Sequence, residues 1–419
     1  MAGTSETGET MPLLQHNSQR LRVACLLAVL LAAAPAMAQI WGPLTLDELK
    51  AETQRRADRN LPPIAGIKPD DARAAIAQLH NLERETWAAA WIANGERYMK
   101  EARSHEGTSS QQAREAYYQA WHNFSTGRWP SEKLSPGKQK AYERALDAFQ
   151  AYGKLLDPPI QTVQFPFEGK QVTAYLRLPK SAKPVPLVFG INGLDSRKED
   201  VIARVDDFLK LGIGVFAVDM PGTGQSPILV DIGSERIFSA ALDWLQTRKD
   251  IDSKRIVVQG RSWSGYWAAL MAYTEKDRIR GAVVHGVGIH GFFQPEWQKK
   301  SFATREYLFD IFPARATIYG AKTEEEYLAY GPKLSLLTRG FLDKPAAPMI
   351  VVNGERDTQQ PIADLYLMMK HGDPKDAWVN PAGGHMGRSP GWTSRDVFTK
   401  VVLPWIARRL EVTQTVATQ

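Results

Sequence analysis

Gly260-Arg-Ser-Trp-Ser-Gly265 follows the β-branched run Arg255-Ile-Val-Val-Gln259 and precedes Tyr266-Trp-Ala-Ala-Leu-Met-Ala-Tyr273, which has the texture of a helix. A serine between small residues at a strand-to-helix turn is how a hydrolase presents a nucleophile, because only small neighbours fit so sharp a turn and the hydroxyl is left standing at the strand end. Ser262 is therefore the first candidate functional residue, and its setting predicts a strand of a parallel sheet feeding a crossover helix.

Working outward, short apolar runs alternate with helical segments on both sides of this turn. Strands are expected at 186–191, 214–219, 255–259, 281–285, 348–353 and 377–379, with helices at 199–211, 235–248, from Trp263, at 362–369 and at 395–410. That rhythm implies right-handed crossovers and a mostly parallel, twisted sheet flanked by helices. Ahead of it, 161–166 and 171–178 straddle Glu168-Gly169 and read as a hairpin. The stretch 287–344 carries Phe292, Phe293, Trp297, Phe302, Tyr307, Phe309 and Phe312. A connection so long needs structure of its own, and it reads as a helical lid inserted after the strand ending at His285.

From Thr45 to about Leu156 the chain is Ala-rich and amphipathic, with breaks at Pro62-Pro63, Gly107-Thr-Ser-Ser110, Trp129-Pro130 and Pro136-Gly137. Four or five helices fit. Trp87, Trp91 and Tyr98 share one face, and Tyr117, Trp121 and Phe124 mark another; the plain reading is helix-packing core, the sharper one that some line a pocket.

A serine nucleophile needs a base for its proton, an acid to fix the base, and amide donors for the oxyanion. The α/β-hydrolase order is serine, acid, histidine. Asp357, in the loop after Val351-Val352-Asn353-Gly354, is the expected acid, with Glu355 as competitor; His385, in Pro381-Ala-Gly-Gly-His-Met-Gly387, is the expected base. His285 and His290 are alternatives for the base, but their position before His385 in the chain does not fit that order, so pocket lining is the better reading for them. Asn192-Gly193, after the strand 186–191, supplies an oxyanion loop whose donors would be the backbone N–H groups of Leu194 and Trp263. Gly222-Thr-Gly224 lacks the partners of a phosphate loop or a dinucleotide fingerprint and reads as a tight turn beside the active face. No His-Glu-x-x-His spacing occurs, so neither a metal nor a cofactor is expected.

The 419 residues, 43% hydrophobic and 23% charged, suffice for a large domain and an accessory one. The 52 Lys and Arg against 46 Asp and Glu give +6, but they are dispersed, which argues against a nucleic-acid partner and leaves a small-molecule substrate. Arg20 and Arg22 precede the apolar run 23–34, and Ala36-Met37-Ala38 closes it. This is the pattern of a secretory signal peptide cleaved after Ala38, with Met11 as an alternative start; a run of about a dozen residues is short of the roughly 20 needed to span a bilayer. Cys25, the sole cysteine, lies inside it, so the mature chain would carry no thiol. The expected location is periplasmic or secreted, without stable membrane insertion. The expected organisation is a signal at 1–38, a helical domain at 39–157, a catalytic domain at 158–412 with the lid at about 287–344, and a tail at 413–419.

Leu155-Leu-Asp-Pro-Pro159, Phe165-Pro-Phe-Glu-Gly169, Asn192-Gly-Leu-Asp-Ser-Arg-Lys-Glu199, Asp219-Met-Pro-Gly-Thr-Gly224 and Gly260-Arg-Ser262 resemble the α/β-hydrolases with an N-terminal helical domain. That group includes 2,6-dihydroxypseudooxynicotine hydrolase, the fungal heptaketide hydrolase and the fermentation-respiration switch protein. The likeness runs from about Ala89 to Arg409. It implies a Ser262-Asp357-His385 triad, a pocket between the helical and sheet domains, and frequently a homodimer. Ser264 and Asn192 stand where glycine is usual, and the export signal departs from intracellular relatives. The function expected is an exported serine hydrolase cleaving a carboxylic ester with a bulky apolar or aromatic group. The rivals are carbon–carbon hydrolysis of a β-diketone-like or aryl ketone substrate by the same triad, and a non-catalytic envelope binding protein.

Overall fold

In this computed structural model, residues 39–372 and 375–412 are described. The expected signal segment and the tail lie outside them. Runs rich in Val, Ile and Phe form eight strands: β1 (Gln161–Phe167), β2 (Lys170–Arg177), β3 (Val185–Ile191), β4 (Gly214–Val218), β5 (Ile251–Arg261), β6 (Gly281–His285), β7 (Met349–Gly354) and β8 (Lys375–Asn380). They make one sheet in the order β1-β2-β4-β3-β5-β6-β7-β8. β1 and β2 pair antiparallel, as do β2 and β4, and β3 through β8 are parallel. The central strands β3, β4 and β6 are buried at every residue because helices cover both faces, which is why they read as unbroken apolar runs. The β1-β2 turn is the expected hairpin: Glu168 and Gly169 have φ of +47° and +76°, the left-handed pair that matches strand twist in a two-residue turn.

Among the described residues five helices precede the sheet: Leu46–Asp58, Pro69–Ala77, Arg84–His105, Ser110–Arg128 and Pro136–Lys154. Pro136, read from the sequence as part of a break, instead opens the last of these, where its missing N–H has no intrahelical acceptor to lose. Tyr98, Tyr117, Trp121 and Phe149 share one core with Tyr175, Val188, Val215 and Val257 of the sheet. The helical region is thus welded to one face of the sheet by continuous apolar packing.

The lid stretch holds the helices Pro295–Phe302, Ile311–Tyr319 and Glu324–Tyr330. Two devices moor it. Asp364, on the helix Ile362–Met369, accepts the N–H groups of Ile289, His290, Gly291 and Phe292. Asp310 pairs with Arg84 of the helical region through two 2.9 Å hydrogen bonds and accepts the Trp41 N–H at 2.7 Å. Trp87 lies 4.8 Å from Phe309 and Trp129 5.2 Å from Tyr307, ring centre to ring centre, so lid and helical region share a core.

Two expected helices are divided. The stretch 199–211 forms Lys198–Ile202 and Asp206–Lys210; Asp200 caps the start of the first by accepting the Arg197 N–H, and Asp206 and Asp207 begin the second, where carboxylates at a helix N-terminus are favourable. The stretch 395–410 forms Ser394–Val397 and Leu403–Arg409 with a wide π turn, Phe398–Val402, between them. Pro404 has no N–H for an ordinary turn there. Among the described residues no helix is long and apolar enough to cross a membrane.

Candidate active site

Ser262 directly follows the central strand β5 with φ of +55°, a conformation rare for a residue with a side chain. Its neighbours hold it there. A Cβ on Gly260 would meet the Ser264 carbonyl oxygen at 1.8 Å, and one on Gly265 would meet the Gly286 carbonyl oxygen at 1.7 Å. The small residues around Ser262 are therefore demanded by backbone contact. Residues Ser262–Ser264 make a single 3-10 turn, and the helix itself starts at Gly265, two residues later than Trp263.

The Ser262 Oγ is 2.8 Å from His385 Nε2, and His385 Nδ1 is 2.9 Å from Asp357 Oδ2. The carboxylate fixes the proton on Nδ1, which leaves Nε2 as the acceptor for the serine O–H. Asp357 is buried, and its other oxygen accepts the N–H groups of Gln359 and Gln360 at 2.7 and 3.1 Å. Burial works against the carboxylate, but His385 and the two N–H donors outweigh it, and the pKa lies below the usual carboxylate value. His385 is carried on a loop braced by the Met386 N–H, which donates to Asn353 Oδ1 at 3.1 Å, with Met386 at φ +61°.

The competing residues are elsewhere. Glu355 is exposed and accepts the Tyr366 hydroxyl at 2.5 Å. His285 is buried, donates to the Met386 carbonyl at 3.0 Å, and is pushed down to a pKa of about 3 by burial and by Arg261, so it stays neutral. His290 bonds Ser335 at 2.8 Å. Neither lines the pocket, which corrects the sequence expectation: His285 is spent bracing the His385 loop and His290 the lid.

Gly193 brings the loop after β3 against the elbow: a Cβ there would lie 3.2 Å from the Ser262 Cβ. The Leu194 N–H has no acceptor among the described residues, and Trp263 lies in the first turn of its 3-10 helix, where N–H groups lack intrahelical acceptors. Both expected oxyanion donors are thus uncommitted beside Ser262. Asn192 and Ser264, the two departures from glycine, are partners: the Ser264 hydroxyl donates to the Asn192 carbonyl. The Asn192 side chain donates to the Gly193 and Ser196 carbonyls, both at 2.8 Å, and accepts the Met220 N–H at 2.8 Å. Its amide also lies 3.1 Å from the Thr223 hydroxyl, so the tight turn at Gly222-Thr-Gly224 supports this loop.

A cavity of about 230 Å³ opens above Ser262 between the helical region, the lid and the sheet edge. Trp129, Trp263, Phe292 and Tyr307 supply its apolar wall. The other singled-out aromatics of the helical region, Trp87, Trp91, Tyr98, Tyr117, Trp121 and Phe124, are buried core and line none of it. Sequence reasoning missed three contributors. Gln360 donates to the Ser262 carbonyl at 3.1 Å; buried Glu132 of the helical region grips Arg197, which in turn donates to the Leu194 carbonyl at 3.0 Å; and Arg261 faces the cavity. Arg197 and Arg261 lay in motifs that had been singled out, whereas Gln360 and Glu132 did not. Among the described residues no cluster of His, Cys, Asp and Glu could hold a metal ion.

A serine, histidine and carboxylate in hydrogen-bond sequence, carried after β5, β8 and β7 of a mostly parallel sheet, define an α/β hydrolase. Solved structures share the fold. 2,6-Dihydroxy-pseudo-oxynicotine hydrolase superposes with a TM-score of 0.69 at 20% identity, over 83% of this chain and 94% of that one. AbyA5 gives 0.68 at 20% identity, over 88% and 96%. Esterase FrsA of Vibrio vulnificus is 28% identical over 290 residues, 67% of this chain and 68% of the relative; that of Photobacterium profundum is 24% identical over 311 residues, 72% and 69%. The chain belongs to the FrsA-like esterase family, whose model matches residues 81–377. The match takes in Ser262 and Asp357 and stops just short of His385.

Proposed function

We propose that this chain is an exported serine esterase in which Ser262 attacks the carbonyl carbon of a carboxylic ester bearing an apolar or aromatic group. The observation that carries the reading is the unbroken path from Ser262 Oγ through His385 to buried Asp357. His385 Nε2 takes the serine proton as Oγ bonds to carbon, and the oxyanion that forms is met by the Leu194 and Trp263 N–H groups. Collapse expels the alcohol, which receives its proton from His385 and leaves an acyl group on Ser262. Water, deprotonated by the same imidazole, then attacks the acyl carbon; the acid departs and Ser262 regains its proton. The aromatic wall of the cavity supports an apolar or aromatic group on the substrate. The export part of the proposal is supported by the sequence pattern at 20–38.

The test is a hydrolysis screen over esters, lactones, amides and aryl diketones with Ser262→Ala as the control. Losing a triad nucleophile costs on the order of 10⁶ in kcat. Ester turnover that survives in the variant overturns the proposal, and cleavage confined to diketones replaces the ester by a carbon–carbon bond.

A further inference from the structure

Six arginines line the cavity, at 56, 128, 204, 261, 315 and 388, against three carboxylates, Asp195, Asp200 and Glu306. All three carboxylates are engaged. Asp195 accepts the Trp129 indole N–H at 3.0 Å, Asp200 accepts the Arg197 backbone N–H at 2.8 Å, and Glu306 accepts Arg388 at 2.7 Å. Four of the arginines are equally committed. Arg56 bonds the carbonyls of Pro62, Arg305 and Glu306; Arg128 bonds the Asp195 carbonyl; Arg315 bonds Gln298, Ser301 and Gln359; and Arg388 bonds the His385 carbonyl.

Arg261 and Arg204 are different. Among the described residues no hydrogen bond or ion pair engages either guanidinium, and both line the cavity. Arg261 directly precedes Ser262, so its side chain starts one residue from the attacking hydroxyl. Burial and the nearby Arg204 and Arg388, opposed by Asp200 and Asp195, push its pKa down to about 10, which still leaves it charged at neutral pH. Arg261 is half-buried and Arg204 exposed, so both keep contact with water, but on the cavity side neither fork meets an acceptor among the described residues. The planar fork of a guanidinium matches a carboxylate through two parallel N–H···O bonds.

We propose that Arg261, assisted by Arg204, binds a carboxylate carried by the substrate a few bonds from the scissile carbonyl, so that the preferred substrates are acidic esters such as half-esters of dicarboxylic acids. This rests on the hydrolase reading of the same cavity and narrows its substrate class. Phe292 and the other aromatics would contact the chain between the two carbonyl groups, while the anion lies at the Arg261 side.

The test separates binding from chemistry. Calorimetric titration of the Ser262→Ala protein compares monomethyl adipate with dimethyl adipate, which differ by one charge at nearly equal size. Expected is an affinity at least tenfold higher for the monoanion, falling toward equality in Arg261→Gln/Ser262→Ala and weakening with salt. A parallel Arg204→Gln change should reduce the same ratio by a smaller factor. Equal affinity for the two esters, or a preference that survives Arg261→Gln in a protein of unchanged melting temperature, overturns the proposal. A failure of the hydrolase reading would show separately, as ester turnover indifferent to Ser262→Ala.

Discussion

Replacing Asp357 with asparagine changes one atom and should disable the base. Asp357 uses one oxygen to accept two backbone N–H groups, from Gln359 and Gln360, and the other to accept His385 Nδ1. An asparagine satisfies the two N–H groups only by turning its carbonyl toward them, which points its NH2 at Nδ1. The imidazole must then accept at Nδ1 and carry its proton on Nε2, where it can no longer take one from Ser262. The opposite flip restores the tautomer but leaves both backbone donors buried and unpaired, at about 1–3 kcal/mol each. The competent arrangement is disfavoured by roughly 2–6 kcal/mol, a loss of about 30-fold to 3 × 10⁴-fold at 1.36 kcal/mol per decade. The drop of about 10⁴ for the same change in the serine-protease template falls within this range. Steady-state kinetics on p-nitrophenyl butyrate at pH 7 should show kcat down by that range with KM within about threefold. Glu355→Gln, the control at the exposed competitor, should stay within about twofold of wild type. An Asp357→Asn enzyme that keeps more than a third of its kcat, or a Glu355→Gln enzyme that loses most of it, refutes the assignment.

Asn192→Ala removes the buried amide that holds the oxyanion loop and orphans the Met220 N–H; kcat should fall about 10²-fold, the low end for losing one oxyanion donor, and a change below threefold would show that the loop holds itself. Asp310→Ala removes a buried carboxylate that accepts from Arg84 and from the Trp41 N–H and should destabilise the protein by about 1–3 kcal/mol in urea unfolding; no measurable change would mean the lid is moored by its aromatics alone. Because the fold lowers the Asp357 pKa, its stabilisation is full above the ordinary carboxylate pKa of roughly 3.9 and is lost as pH falls through the folded value. The stability gap between wild type and Asp357→Asn should therefore close on acidification, and a gap that widens in acid contradicts the pairing.

Much of the sheet was legible because its strands are buried on both faces: runs such as Gly281–His285 are apolar throughout and bounded by turn residues, and that strand and the helix Ile362–Met369 match their expected limits. That Ser262, Asp357 and His385 come together could be read because an elbow and two strand-end loops impose local sequence, glycines above all. What could not be read depends on partners distant in the chain. Nothing local distinguishes His285, which braces Met386 a hundred residues on, from a histidine facing substrate. The same holds for Glu132, whose partner Arg197 lies across the interface with the sheet, and for Arg261, whose guanidinium faces the cavity without a hydrogen-bond partner among the described residues. The π turn before Leu403–Arg409 was hidden for a different reason, since hydrophobic periodicity hardly registers one extra residue in a turn.

The central claim is that Ser262 is a nucleophile made reactive by the fold. Treating folded protein with a fluorophosphonate and mapping the modified peptide tests it most directly. The account predicts one covalent adduct per chain, on Ser262, absent from Ser262→Ala and from protein unfolded in urea. Folded protein that hydrolyses esters while Ser262 stays unmodified, or an adduct on a different residue, would contradict it.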